Sequence, residues 1–186
     1  MSNLTILRTY AQKSNLASLP SSVLLTHTER TLTIFDAYPK SIFHFLVLLR
    51  TKDSPLTVFD LASLRTLLKS DKDDAQKVLT DLSEDAETVK AMIEEEMVKR
   101  YGFKWTVNMG FHPVPSMEHL HLHVISDDLC SPAMKNKKHY NSFHPKLGFF
   151  LHLSEVLSWF NGEASYFQTV RFMNSPLLLK PIVFYT

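Results

Sequence analysis

The 186-residue chain has one cysteine, Cys130, and only four glycines, Gly102, Gly110, Gly148 and Gly162. A single thiol cannot form an internal disulfide, which suits a reducing compartment, and it cannot supply the cysteine pair of the common small zinc sites. So few glycines leave no GxGxxG or GxxxxGK stretch, and any phosphate must be met by side chains. An excess of one charge is also lacking. Lys and Arg number 20 against 19 Asp and Glu, a formal net charge of +1, so any basic surface for nucleic acid has to be local. No apolar run approaches the ~18 residues of a membrane helix, and the polar N-terminus does not read as a secretory signal, so no membrane partner is expected. Hydrophobic residues at 45% and charged residues at 21% are ordinary for a globular protein. The length supports one domain with a sizeable core.

Residues 4–15 place Leu4, Leu7 and Ala11 at helical spacing with Tyr10 alongside, which predicts an amphipathic helix. Runs at 23–26, 31–36 and 42–49 read as strands, with Ala37-Tyr38-Pro39-Lys40 as a turn between the last two. Short spacings between these runs favour an antiparallel meander. A helix is expected near 58–69 and a long one from about 73 to 101, where Val78, Leu82, Ala86, Val89, Ile93 and Met97 form one apolar stripe. Glu94-Glu95-Glu96 belongs to the solvated face, and Gly102 ends the helix. Strands follow at 104–110 and 120–126, joined by a loop holding Pro113 and Pro115. The chain then reads as loop through Phe143, a helix or strand over 149–160, and a tail over 161–186 without a convincing period. The expected layout is an N-terminal helical segment (1–22), a main domain (23–160) and that tail.

What the chain has in quantity is histidine, nine residues unevenly spread. His119, His121 and His123 alternate with Leu120, Leu122 and Val124, so a strand would put the imidazoles on one face and the aliphatics in the core. Three chemistries compete. The histidines could simply decorate an exposed sheet face. They could ligate a metal, with Asp127 and Asp128 as further donors. Or one could attack phosphorus, since imidazole is neutral near pH 7 and leaves readily from a phosphoramidate once protonated. Neighbouring imidazoles would then stabilise the phosphoryl oxygens. Ser116 and His112 nearby suit a phosphate pocket better than a zinc shell.

The H-φ-H-φ-H-φ-φ pattern resembles the signature of the histidine-triad nucleotide hydrolases and transferases. Three further blocks are similar, more narrowly, to its aprataxin branch. They are Gly110-Phe111-His112-Pro113-Val114-Pro115-Ser116-Met117, the stretch from Ser131-Pro132 through Lys135-Asn136-Lys137-Lys138-His139-Tyr140-Asn141-Ser142-Phe143, and Asp36-Ala37-Tyr38-Pro39-Lys40 with His44 beyond it. The resemblance implies an α+β fold of histidine-triad type, a mainly antiparallel sheet with packed helices. It implies hydrolysis of the 5′-adenylate that a DNA ligase leaves on a broken end when ligation aborts, freeing AMP and restoring a 5′-phosphate.

By the same resemblance His121 is the nucleophile that carries AMP, His112 protonates the departing phosphate and then helps activate water, and His119 and His123 stabilise the phosphoryl group. Ser116 contacts phosphate oxygens, Asp36 holds the ribose hydroxyls, and Lys40 and His44 line the pocket. Lys135, Lys137, Lys138 and His139, helped by Ser142 and Arg50, would bind DNA backbone by charge. On the bland reading that lysine block is a solvated loop. Tyr10 and Leu7 could form an apolar wedge at a DNA end, or the helix could merely cover the sheet.

The implied partners are 5′-adenylated nicked or broken DNA, with RNA–DNA junctions as a related substrate. The implied setting is a monomer in the nucleus, with no cofactor for hydrolysis. Aprataxins commonly carry a C-terminal zinc finger that opens with a cysteine pair; residues 177–186 hold no cysteine, so zinc is not expected. A phosphopeptide-binding N-terminal domain is likewise not expected, with about 30 residues ahead of the first pocket block. Two other readings stand beside this one: a small-molecule histidine-triad hydrolase acting on adenosine phosphoramidates or dinucleotides, and a catalytically weakened DNA-end binder.

Overall fold

In the computed structural model, residues 4–52, 54–144 and 147–161 are described. All of the tail expected over 161–186 except Asn161 lies outside them. Strands β1 (Leu24–His27), β2 (Thr31–Phe35), β3 (His44–Leu49), β4 (Val107–Phe111), β5 (His121–Ser126) and β6 (Leu151–His152) form one sheet in the order β1-β2-β3-β5-β4-β6. Each pairing is antiparallel. The first three strands make the expected meander, and the α+β expectation holds. The chain then leaves through helix α3 (Lys72–Tyr101) before β4 and β5 return, so β5 lands between β3 and β4.

Register gives the sheet two unlike faces. Phe45 opposes Val124 and Val47 opposes Leu122, and this face meets the α3 stripe of Ala75, Val78, Leu79, Leu82, Ala86, Val89, Ile93 and Met97 in the main core. Leu79 and Leu82 are wholly buried, and each contributes about 1.5–3 kcal/mol through removal of its side chain from water. Asp71 opens α3 by accepting from the N–H groups of Asp73 and Asp74. Gly102 closes it at φ +78°, a left-handed conformation that glycine adopts without a Cβ clash. The other face pairs Leu48 with His121, Leu46 with His123 and His44 with Ile125. Helix α1 (Ile6–Ala11) and the short turn Leu16–Ser18 cover part of it, packing Leu7, Ala11 and Leu16 on Leu32, Ile34, Leu46 and Leu48. A smaller cluster of Ile125, Phe143 and Phe150 covers another part. The histidines lie between these two covers.

Local structure departs from the expectations in four places. The helix expected over 58–69 is broken into a 3-10 turn at Asp60–Ala62 and α2 (Leu64–Leu67). The carbonyls of Leu61 and Ala62 accept from the N–H groups of Leu120 and His119 instead of building a helical ladder, and Ser63, extended at φ −163°, caps α2 in a capping box with Thr66. The stretch read as loop contains α4 (Lys137–Phe143), whose cap is the Asn136 side chain accepting from the His139 N–H. Residues 149–160 divide into β6 and α5 (Leu153–Asn161). Leu7 is buried against the sheet rather than offered as a wedge, so α1 acts as the sheet's cover.

Candidate active site

The triad does not alternate along one strand throughout. β5 begins at His121, and His119 precedes it in the left-handed region at φ +89°. That turn points the His119 carbonyl at its neighbour: His121 Nδ1–H donates to it at 2.8 Å. The proton of a neutral His121 is thereby fixed on Nδ1, and Nε2 keeps its lone pair. The His119 ring itself donates from Nε2 to the Leu49 carbonyl at 2.8 Å, and its buried Nδ1 has no hydrogen-bond partner.

A second chain of bonds fixes His123. The Lys40 backbone N–H donates to His44 Nδ1 at 3.1 Å, which leaves the His44 proton on Nε2. His44 Nε2 in turn donates to His123 Nδ1 at 2.9 Å. His123 therefore carries its own proton on Nε2, a buried N–H without a partner. An unpartnered buried donor beside a lone-pair nitrogen is suited to an incoming phosphoryl oxygen. His112, two residues beyond Gly110, completes the group, with its ring centroid 4.6 Å from that of His123. Its Nε2–H donates to the Ser142 carbonyl at 3.1 Å, leaving Nδ1 as a base.

All five rings stay neutral near pH 7. Burial pushes His44, His112 and His119 down to about 4, with neighbouring imidazoles adding to the effect and the carboxylate of Asp36 opposing it at His44 and His112. Burial also lowers His121 and, more strongly, His123. Two aromatic residues help exclude water. Phe143 lies 4.7 Å from the His112 ring, 5.4 Å from His44 and 5.5 Å from His123, and Phe150 lies 5.9 Å from His112. Gly110 makes room for this wall. A Cβ there would sit 2.6 Å from the Phe150 ring and collide with the Leu151 carbonyl. A small, shallow pocket opens beside the rings, lined by Ser63, Phe111, Pro115, His112, His119 and His121 among others. Phe143, Phe150 and Ser63 were not among the residues singled out from sequence. Phe143 closes the lysine-rich block, but nothing in periodicity aims it at the histidines.

The remaining expected site residues divide by place. The Asp36 carboxylate lies 3.6 Å from His44 Nε2 and accepts from the Tyr38 N–H at 2.7 Å. The Lys40 ammonium donates to the Tyr38 carbonyl, and burial lowers its pKa, with Lys135 adding to the effect. Ser116 is exposed in the loop ahead of the triad, a loop tied to α1 by the Glu118 N–H on the Leu4 carbonyl and by an Arg8–Glu118 ion pair. Lys135, Lys137 and Lys138 are exposed at the start of α4. Three other residues of the expected DNA surface use polar groups within the fold. Arg50 donates to the carbonyls of Thr28 and Glu29, His139 Nδ1 accepts from the Lys135 N–H, and the Ser142 hydroxyl donates to the His139 carbonyl.

Metal binding can be weighed on the same geometry. Asp36, His44 and His123 bring donor atoms within 4.8 Å of one another. A metal would need the His44 Nε2 lone pair, yet the Lys40 N–H on Nδ1 keeps the proton on Nε2. The trio fits a hydrogen-bond relay better than a cation. Asp128 accepts from the N–H groups of Ile42 and Cys130, the Trp105 indole and the Ser126 hydroxyl, so its oxygens are already taken.

Comparison with known proteins adds three findings. Residues 10–139 match the family described as scavenger mRNA decapping enzyme C-term binding. An aprataxin-like protein of Drosophila melanogaster is 32% identical over 167 residues, which is 89% of this chain and 22% of that protein. Aprataxin of Danio rerio is 34% identical over 134 residues, 70% of this chain and 34% of that protein. The chain therefore spans between about a fifth and a third of the length of these relatives. The crystal structure of the aprataxin ortholog Hnt3 in complex with DNA has a TM-score of 0.63 at 21% identity, covering 95% of this chain and 81% of that one, a likeness of fold.

Proposed function

The chain belongs to the scavenger mRNA decapping enzyme C-terminal binding family and is an aprataxin-like histidine-triad protein, and on that premise we propose that it hydrolyses 5′-adenylated DNA ends. The reaction runs in two displacements. His121 Nε2 attacks the adenylate phosphorus, the bond to the bridging oxygen breaks, and the 5′-phosphate of the DNA departs, leaving AMP on His121. Water then attacks the same phosphorus, His112 takes its proton, and AMP leaves as His121 regains its lone pair. His123 Nε2–H donates to a phosphoryl oxygen in both transition states. Such a donor in a dry site contributes roughly 2.7–4 kcal/mol to barrier lowering. Asp36 accepts from the ribose hydroxyls as a bidentate partner, Lys40 and His44 border the nucleotide, and Ser116 meets the phosphate from the loop.

The observation that carries this reading is the His121 Nδ1–H bond to the His119 carbonyl, which leaves the nucleophilic nitrogen unprotonated. No step in this scheme calls for a metal ion. The exposed ammonium groups of Lys135, Lys137 and Lys138 support a polyanionic substrate. The DNA held by the Hnt3 ortholog is in keeping with it. A role on broken DNA calls for a nuclear setting, and imaging of a tagged chain tests this.

The test is AMP release from 5′-adenylated nicked DNA by the purified protein and by His121→Ala. Release that survives the substitution sinks the mechanism. Adenosine phosphoramidates that turn over far faster than adenylated DNA would move the assignment to a small-molecule hydrolase. Binding to DNA ends without AMP release would make it an end binder.

A further inference from the structure

Helix α4 holds the two kinds of residue that the proposed reaction must bring together. Lys137 and Lys138 lie exposed in its first turn, and Ser142 and Phe143 end it. The helix is seven residues long, about two turns, so both ends belong to one short element. At its far end the Ser142 carbonyl accepts the hydrogen bond from His112 Nε2–H. The adjacent Phe143 ring, 8% exposed, lies 4.7 Å from the His112 ring with an interplanar angle of 60°. The same ring meets His44 and His123 nearly edge-on, at 87° and 83°. Its buried hydrophobic neighbours are few, Ile125 and Phe150, with Leu129 half-buried beside them. Phe143 spends its surface on imidazoles.

We propose that α4 is the positioning element for His112, with Phe143 as its positioning residue, so that the helix meeting the substrate backbone also orients the base that activates water. Two contacts set the ring. The Ser142 carbonyl fixes which nitrogen carries the proton, and the Phe143 ring, tilted 60° to the His112 ring, blocks rotation away from that carbonyl. The ring keeps the Nδ1 lone pair directed at the phosphoryl site only while both hold. The proposal rests on the hydrolase reading for its kinetic consequences. Its ring geometry is independent of that reading.

The test uses the full chain with Phe143→Leu and Phe143→Tyr. Imidazole ¹H–¹⁵N NMR of the unliganded wild-type protein should show His112 as the Nε2–H tautomer. Phe143→Leu should give a mixture of tautomers, and Phe143→Tyr, which keeps the ring, should restore one. On adenylated nicked DNA, Phe143→Leu should lower kcat about 10-fold, a fraction of the 10²–10⁴ that a general base supplies, with KM held within about threefold. Labelled AMP should accumulate on the protein. Added to His112→Ala, it should cause no further loss, because the two act through one ring. A wild-type His112 protonated on Nδ1 overturns the proposal. So does an unchanged tautomer in Phe143→Leu, or a loss that multiplies with that of His112→Ala. If Phe143→Leu fails to fold, the wild-type and Phe143→Tyr spectra decide. A wild-type protein that leaves adenylated DNA intact refutes the hydrolase reading, and the tautomer still decides the positioning.

Discussion

Lowering the pH from 7.5 to 5 should destabilise this fold steeply, and the histidine cluster is the cause. His44, His112 and His119 titrate near 4 in the folded protein because burial opposes their charged forms. In the unfolded chain they titrate near 6.5. The folded value lies below the unfolded one, so the unfolded chain binds more protons throughout the window from about 6.5 down to about 4. Stability is therefore full above 6.5 and falls as the pH drops through that window. At pH 5 the solution is ~1.5 units below the unfolded value, and at roughly 1.4 kcal/mol per unit a single such histidine removes about 2 kcal/mol. Three of them give a slope approaching about 4 kcal/mol per pH unit, a large part of a typical domain's 5–15 kcal/mol. His121 and His123, lowered in the same direction, steepen it. Urea unfolding at pH 7.5, 6 and 5, with a constant m-value, measures the effect. His44→Gln removes one proton from the balance and should flatten the slope by roughly a fifth to a third of its size. Stability that stays level between pH 7.5 and 5, or falls only below about 4.5 where carboxylates titrate, would refute the reasoning.

Other substitutions probe separate links. His44→Leu deletes the donor to His123 Nδ1, frees His123 to present a lone pair to the phosphoryl oxygens, and should lower kcat by about 10²-fold; AMP release within threefold of wild type would count against the relay. Gly110→Ala forces a Cβ into the Phe150 ring and the Leu151 carbonyl, so the thermal midpoint should fall by an amount equivalent to about 1–3 kcal/mol. An unchanged midpoint would mean that β6 can move aside freely. Lys137→Ala with Lys138→Ala should weaken adenylated-DNA processing and reduce its log–log salt dependence by about 2, while sparing a small adenylate; equal loss on both substrates would contradict a backbone role.

The sheet was legible because its signal is periodic. The apolar runs at 31–36 and 42–49, the stripe of α3 and the Gly102 stop each follow from spacing and steric rules, and each has its counterpart in the fold. The histidines were legible as a group, since five of nine fall in one cluster on or beside β3, β4 and β5. Their individual duties were not. His119 reads as a strand residue by alternation, yet its positive φ turns its carbonyl into the group that sets the His121 proton. A pattern of side chains cannot reveal a main-chain acceptor. Phe143 and Phe150 escaped for another reason: they approach from segments distant in sequence, Phe143 on α4 and Phe150 through the close strand contact permitted by Gly110. The break at Ser63 escaped because 58–69 has helical spacing, while the pull on its carbonyls comes from residues 119 and 120.

β5 is hydrogen-bonded along both edges, to β3 on one side and β4 on the other, whereas α4 is a seven-residue helix over a three-residue cluster. These two settings differ in lifetime. Amides of a doubly paired inner strand open only when the whole domain does, while a short helix over a small apolar patch opens by itself and far more often. His123, paired to Leu46 on one side and to Gly110 on the other, thus keeps slow time, and the contacts that α4 makes with His112 keep fast time. His112 can be released and recaptured many times during one lifetime of the sheet. In the proposed reaction a bulky substrate comes and goes past α4 while the His123 donor stays in place throughout.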